Sequence, residues 1–309
     1  MDKRIAVVIP CYNEALTVGK VIDDFRRRLP QARICVFDNA STDDTARIAA
    51  EHGAEVFRVK LRGKGQVVAR IMEACPGDVL LMVDGDDTYP ADRAADLLEP
   101  ILAQRADMVV GTRLQTYADK SFRPLHVVGN RLVRGLINRV FGSRLTDILS
   151  GYRAFTAELA TCVPVTAVGF EVETELTLQT LYHNFVIEEV SVPYGERPPG
   201  SASKLRTFRD GWRVLWTIFN IFRSVKPLTF FGSVALLALA LAVLCALPGI
   251  LEYLREGKVY RFPLLFVGVG LTVICFLSLS VGIILHAINV RLKEIVSLMR
   301  KTGGPRRRQ

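Results

Sequence analysis

Two long stretches without a charged residue constrain this chain more than any other feature of its sequence. They run from Leu228 to Leu251 and from Phe262 to Val290, and each is long enough to cross a hydrocarbon core of about 30 Å as a helix. A pair of buried helices in a soluble core fits poorly, because such helices rarely lack a polar face over this length. We therefore predict a membrane segment at 227–290, with transmembrane helices at about 228–251 and 262–286.

Basic residues flank this segment and predict its orientation. One group precedes it and another follows it: Arg197, Lys204, Arg206, Arg209, Arg213, Arg223 and Lys226, then Arg291, Lys293, Arg300, Lys301 and Arg306 to Arg308. The loop between the spans has few basic residues, so the positive-inside rule predicts both termini in the cytoplasm. No apolar leader with a cleavage site precedes Ile5, so we also expect the N-terminal domain to stay in the cytoplasm, at the inner membrane of the cell.

The net charge of +9 does not indicate nucleic acid, because the excess lies beside the membrane segment rather than on a nucleic-acid-binding module. A lipid bilayer with anionic headgroups is the expected partner. The six cysteines lie far apart without metal-ligand spacing and are expected to be reduced.

Apolar runs alternate with helical patterns along the first part of the chain. The runs are Ile5 to Ile9, Ile34 to Phe37, Val56 to Leu61, Val79 to Val83 and Met108 to Val110, and a cluster of polar residues follows each. This alternation predicts an α/β fold with a mostly parallel sheet. Binding and catalytic sites in such folds lie at the carboxyl ends of the strands. We assign this domain to residues 1–203.

The spacing of apolar residues over 204–226 predicts an amphipathic helix. Leu205, Phe208, Trp212, Leu215 and Phe219 recur at spacings of three and four, with arginines elsewhere on the helical wheel. Such a helix fits the membrane interface, although a helix packed on the core remains the alternative. Residues 291–309 form a basic tail on the cytoplasmic side.

The segment Asp84-Gly85-Asp86 follows the fourth apolar run. Two carboxylates flanking a glycine offer hard oxygen ligands to Mg²⁺ or Mn²⁺, and the glycine lets a diphosphate approach the backbone. Asp-Gly is also a common turn pair, and we interpret the adjacent Asp87 as an ordinary turn residue. We expect Asp84 and Asp86 to bind the metal.

Four segments in order resemble the donor-site motifs of family 2 glycosyltransferases, whose catalytic domain has the GT-A fold. They are the run from Val7 to Glu14, the run from Asp38 to Asp43, Gly63-Lys64-Gly65, and Asp84-Gly85-Asp86. The resemblance implies that a nucleotide diphosphate sugar binds at Pro10, Tyr12, Glu14, Asp38, Lys64, Asp84, Gly85 and Arg113. Ser41 also fits a helix N-cap, and Lys64 also fits a solvated loop.

Three later segments resemble polyprenyl-phosphate glycosyltransferases, the dolichyl-phosphate mannose synthase group and its bacterial relatives that use undecaprenyl phosphate. They run from Thr146 to Arg153, from Gly169 to Glu173 and from Arg197 to Lys204. The resemblance implies catalytic roles for Asp147, Asp86 and Arg153, and an acceptor phosphate site at Arg131, Arg197, Ser203 and Lys204. Glu171, Glu173 and Glu175 fit a solvated helix start as well as a site, and we leave Glu173 and Glu175 out of the site.

Asp147 corresponds to the family's expected catalytic base. A lipid phosphate, however, has a second pKa near ~6 and is largely a dianion at neutral pH, so Asp147 is equally well placed to orient the acceptor. The harder task is to bring two dianions together, for which arginine side chains are suited because they bind phosphate bidentately.

We therefore expect inverting transfer of a sugar to a polyprenyl phosphate on the cytoplasmic leaflet. The resemblance favours a UDP-hexose or UDP-N-acetylhexosamine over GDP-mannose. The alternatives are a processive polysaccharide synthase, whose Gln-x-x-Arg-Trp segment is absent from the sequence, and a non-catalytic scaffold that binds nucleotide sugars. The sequence leaves the oligomeric state, including a homo-oligomer, open.

Overall fold

The computed structural model describes residues 3–113, 135, 137–139, 141–169, 171–195, 198, 216, 219–220 and 222–302. The chain divides into two compact units, residues 1–218 and residues 219–309, and each is described by itself.

The first unit is built on a mixed sheet of seven strands within the described residues. The strands are β1 (Ile5–Cys11), β2 (Arg33–Asp38), β3 (Glu55–Arg58), β4 (Val79–Met82), β5 (Met108–Thr112), β6 (Arg153–Thr156) and β7 (Ile187–Ser191). The spatial order is β3-β2-β1-β4-β6-β5-β7. All neighbours are parallel except β6, which pairs antiparallel with both β4 and β5. The prediction of an α/β fold with a mostly parallel sheet is confirmed, and each of the five apolar runs contributes a strand.

Helices cover both faces of this sheet. They are α1 (Val18–Arg28), α2 (Thr45–Glu51), α3 (Lys64–Ala74), α4 (Ala94–Leu102), α5 (Ala157–Cys162) and α6 (Val172–Tyr182), with a 3₁₀ turn at Ala91–Arg93. Successive β1 side chains enter different cores, since Val7 packs with Phe25 and Leu97 while Val8 packs with Ile71 and Leu176. This two-sided burial explains why the strands read as continuous apolar runs.

The second unit contains two long helices, α7 (Pro227–Glu256) and α8 (Phe262–Thr302). By length and composition, Pro227–Glu256 and Phe262–Leu292 are each able to cross a membrane. Small residues allow the helices to approach, because a Cβ atom added at Gly268 would lie 3.1 Å from the carbonyl oxygen of Ala242. Most of the amphipathic segment 204–226 lies outside the described residues.

Candidate active site

A cleft of about 260 Å³ opens at the carboxyl edge of the sheet. Because β1, β2, β4 and β5 run parallel, the segments that follow them meet at this edge. The cleft is lined by Pro10, Cys11, Tyr12, Glu14, Asn39, Arg62, Gly63, Lys64, Val67, Asp84, Gly85 and Asp86. Of the residues expected to bind the donor, all but Asp38 and Arg113 line it.

One end of the cleft is formed by the segments after β1 and β2. The Arg62 guanidinium lies 5.4 Å from the ring centroid of Tyr12, and the Asn39 side chain accepts a hydrogen bond from the Gly63 N–H and donates one to the carbonyl of Leu61. Asn39 therefore fixes the loop that carries Arg62 and Gly63. The pattern of the sequence did not single out Arg62 or Asn39 for the site, although Asn39 lies inside a donor motif.

Asp38, the last residue of β2, is buried, and its carboxylate accepts a hydrogen bond from the Ser41 N–H. The N-cap reading of Ser41 is wrong, because α2 begins at Thr45 and Asp44 occupies its N-cap position. The Ser41 hydroxyl instead accepts from the Asn13 N–H. These bonds tie together the segments that follow β1 and β2.

The Asp84-Gly85-Asp86 segment is braced from several sides. Thr17 donates its hydroxyl to the Gly85 carbonyl at 2.6 Å, and one Asp86 carboxylate oxygen accepts from the Thr88 hydroxyl at 2.6 Å. Gly151 packs directly on Asp84, since a Cβ atom added there would lie 2.5 Å from an Asp84 carboxylate oxygen. The two carboxylates are thus held at the floor of the cleft.

Lys64 is the cation closest to this segment among the described contacts. Its ammonium lies 2.7 Å from an Asp84 carboxylate oxygen and 2.6 Å from a Glu173 carboxylate oxygen, and its side chain is 14 % exposed. Burial by itself lowers the pKa of Lys64, but the Asp84 and Glu173 carboxylates outweigh it and hold the pKa above its ordinary value. The alternative interpretation of Lys64 as a solvated loop residue is therefore wrong.

The three glutamates at the start of α6 are buried, so the reading of a solvated helix start is wrong as well. Glu171 accepts hydrogen bonds from the Val168 and Gly169 N–H groups, and Glu175 accepts from those of Thr166 and Ala167. The backbone N–H groups of residues 166–169 cover the carboxylates of Glu171 and Glu175, a contact between separate segments that no sequence pattern indicates.

That covering segment, residues 166–169, packs against the start of α3. The Gly65 N–H donates to the Val168 carbonyl at 3.1 Å. A Cβ atom at Gly63, whose φ is +130°, would lie 2.1 Å from that carbonyl oxygen, and one at Gly65 would lie 1.9 Å from the Ala167 carbonyl oxygen. Glycine is required at both positions because two backbones meet there.

Among the described residues, no group of three histidine, cysteine, aspartate or glutamate side chains is arranged as a metal site. Asp84 and Asp86 nevertheless supply carboxylate oxygens at the cleft floor, which suit Mg²⁺ or Mn²⁺. Such ions commonly complete their coordination with substrate phosphates and water, so two protein carboxylates fit this chemistry.

Arg113 and Asp147 form a bidentate ion pair beyond the cleft lining. Arg113 Nε and one terminal nitrogen lie 2.8 and 3.0 Å from the two Asp147 carboxylate oxygens, and Asp147 is 4 % exposed. Burial tends to raise the pKa of Asp147, but the hydrogen bonds from Arg113 outweigh it and lower the pKa. Glu189 holds the segment in place by accepting from the backbone N–H groups of Thr146 and Asp147. Asp147 is therefore an ionised partner of Arg113.

Arg153 does not occupy the position expected of a phosphate ligand. It is fully buried, and its guanidinium donates to the carbonyls of Ile148 and Ser150 and to the Thr177 hydroxyl at 2.8, 2.8 and 2.9 Å. Burial lowers the pKa of Arg153, and the carboxylates of Glu173 and Asp147 oppose this shift. The catalytic role predicted for Arg153 is corrected to a structural one, since its donors fix the turn that carries Asp147.

The expected acceptor residues Arg131, Arg197, Ser203 and Lys204 lie outside the described residues. Asp87 pairs with Lys20 at 2.7 Å and has a φ of +59°, which agrees with its interpretation as a turn residue.

Comparison with known proteins shows that this chain is similar to glycosyltransferases. The model of glycosyl transferase family 2 matches residues 6–163. A glycosyltransferase named AglJ from Haloferax volcanii is 36 % identical over 231 residues, covering 74 % of this chain and 76 % of that protein. A dolichyl-phosphate hexose transferase from the same organism is 30 % identical over 207 residues, covering 67 % and 89 %.

Among solved structures, glucosyl-3-phosphoglycerate synthase from Mycobacterium tuberculosis, in complex with Mn²⁺, UDP-glucose and phosphoglyceric acid, has a TM-score of 0.58. It is 26 % identical and the match covers 71 % of this chain and 79 % of that one.

Proposed function

Because the chain belongs to glycosyl transferase family 2 and is a glycosyltransferase, we propose that it transfers a sugar from a nucleoside diphosphate to a polyprenyl phosphate at a membrane. The main support for the binding of a nucleotide sugar donor is the cleft in which Asp84, Asp86 and Lys64 meet at the end of β4. The acceptor half is supported by the two apolar helices and by the similarity to a dolichyl-phosphate hexose transferase.

Asp84 and Asp86 would hold a divalent metal ion, which supplies neutralisation of the charge that develops on the departing nucleoside diphosphate. Lys64 lies at the same point and is suited to contact the diphosphate oxygens as a point charge. Tyr12, Arg62 and Asp38 lie toward the side of β1 and β2, where the base and ribose would bind. The similarity to an enzyme crystallised with UDP-glucose supports a UDP-sugar donor.

The acceptor oxygen would attack the anomeric carbon in a single displacement with inversion, so an α-linked donor gives a β-linked product. The acceptor phosphate is largely a dianion above its second pKa of about 6, and it needs no base. Asp147 accordingly serves by holding the Arg113 guanidinium, which is suited to relieve the repulsion between the two substrates. Arg131, Arg197, Ser203 and Lys204 remain the proposed ligands of the acceptor phosphate.

The proposed organisation has a catalytic domain at 1–203, an interfacial helix at 204–226 and two spans within 227–290. With both termini in the cytoplasm, the interfacial helix would keep the site at headgroup level, so that the polyprenyl chain stays in the bilayer. The basic tail at 291–309 would contact anionic headgroups.

The test is a transfer assay with purified full-length protein, undecaprenyl or dolichyl phosphate, Mn²⁺ and a panel of UDP- and GDP-sugars. We expect a single glycolipid product from a UDP-sugar. If no donor in the panel gave a glycolipid, the acceptor assignment would be refuted.

The Asp86→Ala variant tests the metal role in the same assay. We expect transfer to fall by at least about a hundredfold, because the variant removes a carboxylate that positions charge at the reacting centre. Transfer at the wild-type rate would exclude Asp86 as a metal ligand.

A further inference from the structure

We propose that Glu173 is a positioning residue of the donor site. Its carboxylate would keep the Lys64 ammonium in the cleft when a divalent metal binds Asp84. Lys64 then stays beside the diphosphate instead of being expelled. This inference rests on the proposed function, since it concerns the same donor cleft.

The geometry of three side chains carries the proposal. The Lys64 ammonium bridges Asp84 and Glu173 at 2.7 and 2.6 Å, and the Glu173 side chain is only 5 % exposed. A first-turn glutamate that merely favours the helix dipole would be expected at the surface. Glu173 is instead buried against a cation that lines the cleft.

The positions of Glu173 and Lys64 are fixed relative to each other by the backbone. Glu173 lies in α6, and its neighbours Glu171 and Glu175 accept hydrogen bonds from the segment 166–169. This segment packs on the start of α3, where Lys64 is the first residue. The Glu173 carboxylate is thus held where it contacts the same ammonium as Asp84.

The charges explain why a second carboxylate is needed. A metal ion on Asp84 competes with the Lys64 ammonium for the same carboxylate, because both are cations. An ammonium has three N–H donors, so Lys64 is able to keep one bond to Glu173 while another N–H turns to a phosphate oxygen. Without Glu173, the metal would remove the carboxylate that holds Lys64 in the cleft.

The test measures nucleotide binding rather than turnover. The affinity for UDP, or for GDP if it binds more tightly, is measured by calorimetry on the full chain in lipid nanodiscs, with and without Mn²⁺. The variants are Glu173→Gln, Lys64→Met and the double variant. Glu158→Gln, the same change in the first turn of α5 at an exposed position, is the matched control.

With Mn²⁺, we expect Glu173→Gln to weaken UDP binding at least roughly tenfold, which is the lower end of what a hydrogen bond to a charged group contributes. Without metal the loss should be smaller, because Asp84 still holds Lys64. In the Lys64→Met background, Glu173→Gln should have almost no further effect. The Glu158→Gln control should bind like the wild type.

Three outcomes would each overturn the role of Glu173. They are an equal loss of UDP affinity with and without Mn²⁺, an undiminished loss in the Lys64→Met background, and an affinity unchanged by Glu173→Gln. A wild-type protein that binds neither UDP nor GDP would instead contradict the proposed function itself. If Glu173→Gln does not fold, Glu173→Asp, which keeps the charge but shortens its reach, should show the same metal-dependent loss.

Discussion

Replacing Arg153 by methionine separates a structural role from a catalytic one. Methionine keeps most of the apolar contact of the side chain but removes the guanidinium that donates to Ile148, Ser150 and Thr177. If the guanidinium serves the fold, the main loss in Arg153→Met should be stability. If it bound phosphate, the main loss would be transfer alone.

The size of the effect follows from the contacts. The two backbone carbonyls would stay buried without a donor, at about 1–3 kcal/mol each. Removing the guanidinium also removes the free-energy cost of burying it, which offsets part of that loss. We therefore expect the free energy of unfolding to fall by about 3–4 kcal/mol. For a domain of this size, this lowers the unfolding temperature by roughly 6–16 °C.

The measurement is the unfolding temperature of the full chain in detergent, followed by intrinsic fluorescence. Arg70→Met, which removes an exposed guanidinium of α3 that pairs with Glu73, is the matched control. It should leave both transfer and the unfolding temperature close to those of the wild type. An Arg153→Met protein that unfolds within about 2 °C of the wild type, a shift of only about 0.5–1 kcal/mol, would refute the structural assignment.

Three other expectations concern the donor loop, the Asp147 carboxylate and the membrane segment. Gly65→Ala should abolish UDP binding in calorimetry, because its Cβ would lie 1.9 Å from a backbone oxygen, whereas Gly135→Ala, with no atom within 4 Å of its Cβ, should bind normally. Arg113 lowers the pKa of Asp147, so its stabilisation is present above the ordinary value of about 3.9 and is lost as the pH falls below it. The unfolding temperature of the wild type should therefore fall more steeply in acid than that of Asp147→Asn, and equal slopes would contradict this. Lys258→Cys should gain a label from a membrane-impermeant maleimide applied to intact cells, and labelling only after lysis would reverse the proposed topology.

Local patterns were sufficient for the first five strands and for the two apolar helices, but they did not predict β6 or β7. The five apolar runs became β1 to β5, because each strand lies between two layers of helices and needs apolar residues on both faces. The Asp84 segment was also predictable, since a polar cluster after a buried strand has to lie at the carboxyl edge of a parallel sheet.

Contacts between distant segments were not predictable from these patterns. The Lys64–Glu173 ion pair depends on the packing of α6 against α3, and neither residue carries a local signal of it. The burial of Arg153 follows from the antiparallel pairing of β6 between β4 and β5, which an alternating βα pattern does not anticipate. An arginine in a motif was therefore assigned to phosphate when its partners are backbone carbonyls.

The antiparallel strand β6 also has a consequence for the synthesis of the protein on the ribosome. β4, which leads into Asp84, has β1 on one side and β6 on the other. Until residues 153–156 have left the ribosome, β4 is an edge strand whose unpaired backbone groups are open to other chains. The nascent domain therefore has an open sheet edge while residues 83–156 are made, and β6 should cover that edge before the first apolar helix, which begins at Pro227, emerges.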